Sequence, residues 1–374
     1  MVRFWRDLHR WASRGLQPTY DKLYDEERLE EEPGLWWRHR QQKSWPAWPR
    51  KATVYLFLID MVIVVLLLQA LEPLITLLLR NEELFSPQVT LSSFNVSYVG
   101  NEAAQVNHIP QILHQTTATE QIPDRWMHSQ HSCKEAYSDF QYKLWTDDSA
   151  REFLSNHYSW FVETWDNYAF PIQRADSIRY FVLYHYGGIY LDMDSWCNQT
   201  IPIHKLGAGN EADYALFKST LPTGITNDLL VTSARHPVYA AAIAKLPLFN
   251  AITRPWARLQ PYCAIMISAG PMFLTMVAKD YLLGQPSLPS KALGVINSSE
   301  LVPYITDLES STWHQSDAKV LMWIGRRPWT WFTMGTVGLA AGLYIINHLL
   351  IHLCKISFGK VPSDTYSVKL AKEA

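Results

Sequence analysis

Two aspartates one residue apart, Asp192 and Asp194, close the segment PIQRADSIRYFVLYHYGGIYLDMD, Pro171 to Asp194. The pattern predicts a strand from Ile189, along which side chains alternate. Ile189, Leu191 and Met193 then point one way, and Tyr190, Asp192 and Asp194 the other. Two carboxylates aimed together repel each other unless a cation sits with them. Hard oxygen ligands suit Mg²⁺ or Mn²⁺, especially where diphosphate oxygens complete the shell. The C-terminal end of such a strand is where open α/β sheets bind ligands. The chemistry expected is the departure of a diphosphate whose growing charge a cation neutralises.

The preceding residues must position this pair. Pro171 fits a helix start. Ile172, Ala175, Ile178, Val182 and Tyr186 recur at helical spacing and predict a helix over 172–186. Arg174, Asp176 and Arg179 lie off that stripe, and the last two are neighbours at i and i+3. Gly187-Gly188 accepts the left-handed conformation that ends a helix. A DxD pair alone also arises in solvated turns, and Asp176 with Arg179 as a plain ion pair. Their order in RADxxRY…GGxYxDxD is what points to one site. No GxGxxG or GxxxxGK[ST] phosphate loop follows a strand. No Ser-His-Asp or Cys-His arrangement offers a protein nucleophile.

Hydrophobic residues make up 48% of the 374 and charged residues 18%, against roughly 25% charged in average soluble chains. The shortfall points to segments in lipid. A formal net charge of -2 provides no basic field for nucleic acid. The 16 Trp and 19 Tyr suit membrane interfaces and sugar clefts equally. The apolar run Val54 to Leu71, continued by LITLLL after Glu72-Pro73, predicts a transmembrane segment over 53–79. A second run, Trp329 to Leu353, predicts another over 329–353. Arg38, Arg40, Lys43, Arg50 and Lys51 precede the first run without an acid among them, which puts the N-terminus in the cytosol. Two crossings then make 1–52 and 354–374 cytosolic tails. Residues 80–107 read as a stem and 108–320 as one α/β domain with a largely parallel sheet. Both lie on the lumenal side, with the sequons at Asn95, Asn198 and Asn297. Asp60 is costly in lipid and is expected to face a partner helix or water. Gly335, Gly338, Ala341 and Gly342 form a small-residue stretch suited to helix packing.

Four cysteines, Cys133, Cys197, Cys263 and Cys354, show no CxxC spacing for zinc. Cys354 ends the second apolar run, which leaves three elsewhere. Cys133 with Cys197 is one pairing among those, and spacing alone does not fix it.

The Pro171–Asp194 segment resembles the DXD glycosyltransferases of GT-A (Rossmann-like) fold in glycosyltransferase family 32, which includes the fungal outer-chain α-1,6-mannosyltransferases. The order Asp176, Arg179, Tyr190, Asp192, Asp194 also resembles the retaining glucosyltransferase toxins. Further resembling stretches are IPQILHQT (109–116), YKLWTDDSAREFL (142–154), DNYAFPIQRADSIRYF (166–181), TNDLLVTSARHPVY (226–239), PYCAIMISAGPMFL (261–274) and STWHQSDAK (311–319). Within the family the chain resembles the fungal enzymes that mannosylate inositol phosphorylceramide. The resemblance implies a GT-A domain flanked by N- and C-terminal transmembrane helices in the Golgi membrane. It implies transfer of mannose from GDP-mannose to a ceramide lipid, with Mn²⁺ or Mg²⁺ and retention of configuration. It also implies a calcium-responsive regulatory membrane subunit. By the same resemblance Asp194 binds the metal, and Asp192 binds the metal's shell or the ribose. His314 of WHxxD is a further ligand. Asp176 and Arg179 hold sugar hydroxyls, and Tyr190 lines the nucleotide site. His114 and Gln115 lie near the nucleotide, and Asn227 and the Ser268–Pro271 turn near the sugar or acceptor. Ala269 stands where the family carries Thr or Ser before Gly-Pro, so no side-chain role carries over there. Two other readings remain: a Golgi α-mannosyltransferase of N-glycans, for which only an N-terminal anchor is expected, and a non-catalytic membrane subunit, in which a lost carboxylate is expected.

Overall fold

The computed structural model describes residues 50–91, 109–206, 213–308, 316–325 and 327–358. In chain order the elements are α1 (Arg50–Leu79), α2 (Asn81–Phe85), β1 (Ile112–Thr116), α3 (Asp124–Ala136), β2 (Gln141–Trp145), α4 (Asp147–His157), α5 (Val162–Asp166), α6 (Pro171–Tyr186), β3 (Gly188–Leu191), β4 (Ser195–Cys197), β5 (Ala215–Ser219) and β6 (Ile225–Thr232). They continue as α7 (Pro237–Thr253), α8 (Pro261–Ser268), α9 (Pro271–Leu283), β7 (Leu293–Ile296), α10 (Ser298–Leu301), β8 (Ile305–Asp307), α11 (Ser316–Gly325) and α12 (Pro328–Phe358).

A six-stranded sheet runs β2-β1-β3-β6-β5-β7, and β4 pairs with β8 in a small second sheet. The β1/β2, β1/β3 and β5/β7 pairs are parallel. The expected largely parallel sheet is instead mixed, because β6 runs antiparallel to both β3 and β5. The reason is local: β5 and β6 are joined by a tight turn ending at Gly224, and a hairpin forces antiparallel pairing. Side chains alternate across the sheet as anticipated. Tyr190, Phe217 and Leu230 join one core layer with α4, α6, α7 and α9, while Ile189, Leu191, Leu216 and Val231 join the other.

Gly187 and Gly188 have φ of 68° and 99°. A Cβ on Gly188 would meet the Ile112 carbonyl oxygen at 2.5 Å, and one on Gly187 the Ala234 nitrogen at 2.6 Å. The dipeptide therefore both ends α6 and lets β3 approach β1. Cys133 and Cys197 form a disulfide that ties α3 to β4.

Residues 81–91, read from sequence as stem, pack on the domain. Leu84 and Phe85 enter its core, and Val89 bridges to Ile296 at the β7 edge. Among the described residues, three segments are long and apolar enough to cross a membrane: Val54–Leu79, Pro261–Leu283 and Phe332–Leu353. The middle one is broken between α8 and α9 and is 56% buried within the domain, so it is core. The windows of the outer two are not buried at all. Asp60 meets this chain's own second apolar helix, where Asn347 Nδ2 donates to its Oδ2 at 2.9 Å. Gly335, Gly338 and Gly342 have no neighbour within 4 Å of a built Cβ, so the described residues give that stretch no packing partner. Asn198 and Asn297 are exposed. The 1–49 tail, Asn95 and the 359–374 tail lie outside the described residues.

Candidate active site

A cavity of about 320 Å³ opens at the C-terminal ends of the parallel strands β1, β2 and β3. Thr116, Thr117 and Ala118 line it from the end of β1. Trp145, Thr146 and Asp147 line it from β2 and α4, and Pro171, Ile172, Ala175, Asp176 and Arg179 from α6. Asp192, Met193, Asp194, Asn227 and Pro271 also line it, together with Trp126, Ala150, Trp165 and Ile178. This is the sheet edge where crossover topology leaves room for a ligand.

Asp192 and Asp194 do not lie on the strand. β3 ends at Leu191 and the pair sits in the turn that follows. The alternation expected through Asp194 gives way to a turn: the Asp192 N–H still makes a last bond to β6, donating to Asp228 O at 3.0 Å, and Ser195 N–H then turns back to Asp192 O at 3.1 Å. Ser129 Oγ of α3 donates to Met193 O at 2.6 Å and holds the turn from behind. Leu308 N donates to Asp194 O at 3.0 Å. Both carboxylates still reach the cavity.

Arg179 is the hub of the floor. Its guanidinium is 2.9 Å from Asp176 Oδ1 and 3.2 Å from Asp192 Oδ1, and Nη1 donates to Asn227 O at 2.6 Å. Its Cζ lies 4.5 Å from the centre of the Tyr190 ring. Asn227 Nδ2 donates to Asp176 Oδ1 at 3.0 Å. Burial pushes the Asp176 carboxyl up to about 6, opposed by Arg179 and Asn227. Burial pushes Asp192 up to about 7 against the pull of Arg179, with Asp194 and Asp228 adding to the rise. A carboxyl held that high beside two others accepts a cation readily, since the cation relieves both burial and repulsion. Asp228 is itself paired with Lys218.

The structure redistributes several expected roles. Asp176, Arg179, Asp192, Asp194 and Asn227 all come together at the cavity. Tyr190 is wholly buried beneath it rather than lining it. Its hydroxyl donates to Asp192 Oδ1 at 2.8 Å and pairs with Thr116 Oγ1 at 2.8 Å. His114 and Gln115 are also fully buried and do not reach the cavity. Trp145 Nε1 donates to His114 Nδ1 at 3.0 Å, which leaves Nε2 to donate to Gly187 O at 2.9 Å. Burial lowers the His114 pKa to about 4. Gln115 accepts from Tyr142 at 3.0 Å. The residues at the cavity are instead the next ones along, Thr116 to Ala118. The rule that ligands bind beyond the carboxyl ends of strands would have found them.

Ser268 accepts from Gln173 Nε2 at 2.6 Å and Ala269 O accepts from Tyr180 at 2.6 Å. The 268–271 turn thus braces α6, and only Pro271 lines the cavity. His314 lies outside the described residues. Among the described residues no group of three His, Cys, Asp or Glu is gathered for a metal. Two neighbouring carboxylates are a donor set suited to a hard divalent cation.

Comparison with known proteins agrees with this geometry. The family described as "glycosyltransferase sugar-binding region containing DXD motif" matches residues 123–213. Inositol phosphoceramide mannosyltransferase 1 of Schizosaccharomyces pombe is 34% identical over 241 residues, covering 63% of this chain and 72% of that one. Mannosyl phosphorylinositol ceramide synthase SUR1 of Saccharomyces cerevisiae is 36% identical over 220 residues, 57% of this chain and 54% of that one. The chain thus spans about half the length of the Saccharomyces relatives it matches. The solved structure of the PaToxG glycosyltransferase is matched over 62% of this chain and 81% of its own, with TM-score 0.34 and 11% identity, and no argument rests on it.

Proposed function

We propose, from the premise that this chain belongs to the DXD glycosyltransferase family that includes the fungal inositol phosphoceramide mannosyltransferases, that it transfers mannose from GDP-mannose to inositol phosphorylceramide. The observation that carries the reading is the cavity floor. One buried guanidinium, Arg179, holds Asp176 and Asp192 at fixed positions beside Asp194. A donor sugar with several hydroxyls and a diphosphate needs such a floor: acceptors and a donor for the hydroxyls, and an acidic pair at the phosphates.

The domain is read as a GT-A fold. Asp192 and Asp194 would hold Mn²⁺ or Mg²⁺, joined by His314. The cation, when bound, neutralises charge growing on the departing nucleoside diphosphate. Asp176, with Arg179 and Asn227, orients the sugar. Thr116 to Ala118 form the edge against which the nucleotide lies. No protein nucleophile is required where the acceptor hydroxyl attacks from the leaving-group side, and the configuration is retained.

Val54–Leu79 and Phe332–Leu353 are read as membrane spans. They place residues 80–320 on the lumenal side of the Golgi membrane, where a ceramide headgroup is within reach. A regulatory, calcium-responsive membrane subunit completes the complex. Asp60 is not its contact of first choice, since Asn347 already occupies it.

The test is transfer by detergent-solubilised protein given Mn²⁺, GDP-mannose and inositol phosphorylceramide, beside Asp194→Ala. UDP-sugars and a high-mannose glycan run in parallel. Mannosylated lipid that vanishes with Asp194→Ala or EDTA supports the reading. Mannose on the glycan instead would transfer the assignment to N-glycan synthesis. No transfer from folded protein with its partner supplied leaves a structural subunit.

A further inference from the structure

The helix α7 is apolar on both faces. Its inner face, Val238, Tyr239, Ala242, Ile243 and Leu246, is buried. Its outer face, Ala244, Leu248, Ala251 and Ile252, recurs at i, i+4, i+7 and i+8 and is exposed, and exposed Pro255 follows in the next turn. Leu248 and Ile252 are 58% and 54% exposed, and Leu259 in the turn that follows is 86% exposed. A helix apolar all round belongs in a core or in lipid. Arg254 and Arg258 are exposed beside half-buried Trp256, and the Lys245–Asp280 pair borders the helix on its α9 side. Long cationic side chains and Trp are the residues that bridge an apolar surface to headgroups.

The layer that carries the patch is tied to both apolar helices of the chain. Lys279 Nζ of α9 donates to Pro73 O of α1 at 3.2 Å. Tyr262 N of α8 donates to Asp317 Oδ2 of α11, which leads directly into α12, at 2.7 Å. α7 packs on α8 and on α9, and Lys245 of α7 pairs with Asp280 of α9. The β5–β6 turn is tied to α2, just beyond α1, where Gly224 N donates to Asn81 Oδ1 at 2.9 Å.

We infer that the outer face of α7, with the turn through Leu259, rests in the headgroup and upper acyl region of the bilayer that holds the two spans. The occupant is lipid, because the layer that carries the patch is tied to both apolar helices and the patch carries exposed Arg254 and Arg258. The inference rests on reading Val54–Leu79 and Phe332–Leu353 as spans. It also fixes how the cavity meets its substrate. Pro271 lines the cavity and Lys279 meets α1. Eight residues of helix separate them, about 12 Å at 1.5 Å per residue. A bilayer at that level would lie about that far along α9 from the cavity rim at Pro271, and the acceptor would then enter along the α7–α9 side.

The experiment uses the full chain in a Cys263→Ser/Cys354→Ser background, reconstituted in phosphatidylcholine liposomes with a minor share of anionic lipid. Single cysteines replace Leu248, Ile252 or Leu259 and carry an environment-sensitive fluorophore. Ser155 of α4 is the water-facing control, and Val65 and Val337 report the spans. Lipids with a nitroxide on the upper acyl chain are expected to quench the three patch labels about threefold more than the Ser155 label, as an interfacial apolar face requires. Span labels quenched and patch labels matching Ser155 would overturn the inference and leave the spans standing. Span labels left unquenched would overturn the span reading, and the inference with it. Patch labels untouched by lipid nitroxide yet shielded from aqueous iodide would show a protein occupant, which also overturns it.

Discussion

Tyr190→Phe separates a residue that lines the donor site from one that holds it. The hydroxyl is buried, donates to Asp192 Oδ1 at 2.8 Å and accepts from Thr116 Oγ1 at 2.8 Å. Phenylalanine keeps the ring under Arg179 and removes only that oxygen. A hydrogen bond to a charged acceptor contributes about 1.5–3 kcal/mol. If Asp192 must stay in place for the donor, that is a loss on the order of 10- to 150-fold in kcat/KM. The assay is mannosyl transfer with donor, acceptor and Mn²⁺ varied in turn. The donor and metal dependences should shift while the acceptor KM holds. Thr116→Val, which leaves the Tyr190–Asp192 bond in place, should cost less. An unchanged donor kcat/KM in folded Tyr190→Phe protein would refute the reasoning, as would a loss confined to the acceptor KM.

Three further outcomes follow from the structure. His236 is buried, its pKa lowered to about 4 chiefly by burial, and it caps α7 by accepting from Val238 N. A depressed folded pKa gives stability that is complete above the unfolded value and is lost as pH falls toward 4, by about 2.5 kcal/mol at about pH 4.5. Asp176 and Asp192, raised to about 6 and 7, work in the opposite direction over the same range. The measurement is therefore the difference in melting between wild type and His236→Asn, which keeps a capping oxygen. The variant should gain on wild type as the solution is acidified, and parallel pH profiles would contradict this. Gly188→Ala, at φ 99° with Ile112 O at 2.5 Å from the new Cβ, should lose on the order of 3 kcal/mol in thermal or denaturant unfolding. Asp60→Cys with Asn347→Cys should be bridged by a short bifunctional thiol reagent in membranes containing no partner subunit, because the native side-chain ends touch at 2.9 Å. A failure to cross-link while each single cysteine labels would remove that contact.

What could be read from the chain was what its local order encodes. α6 was legible because Pro171, a helical apolar stripe and Gly187-Gly188 lie within one segment. The acidic site was legible because its members sit near one another along that same segment. His114 was not. A histidine at a strand end looks like a ligand, but its nitrogens are taken by Trp145, 31 residues away, and by Gly187, 73 residues away. Nothing in the local pattern announces those partners. The direction of β6 was hidden for the same reason, since apolar alternation is identical in parallel and antiparallel strands. Asp192 shows both limits at once. Its place beside Asp194 was visible, but the strand that was to aim it stops one residue early, and aim is supplied instead by Tyr190, Arg179 and the Asp228 carbonyl. A DxD pair therefore gives the kind of chemistry, while the residues that decide its geometry are buried ones that no motif contains.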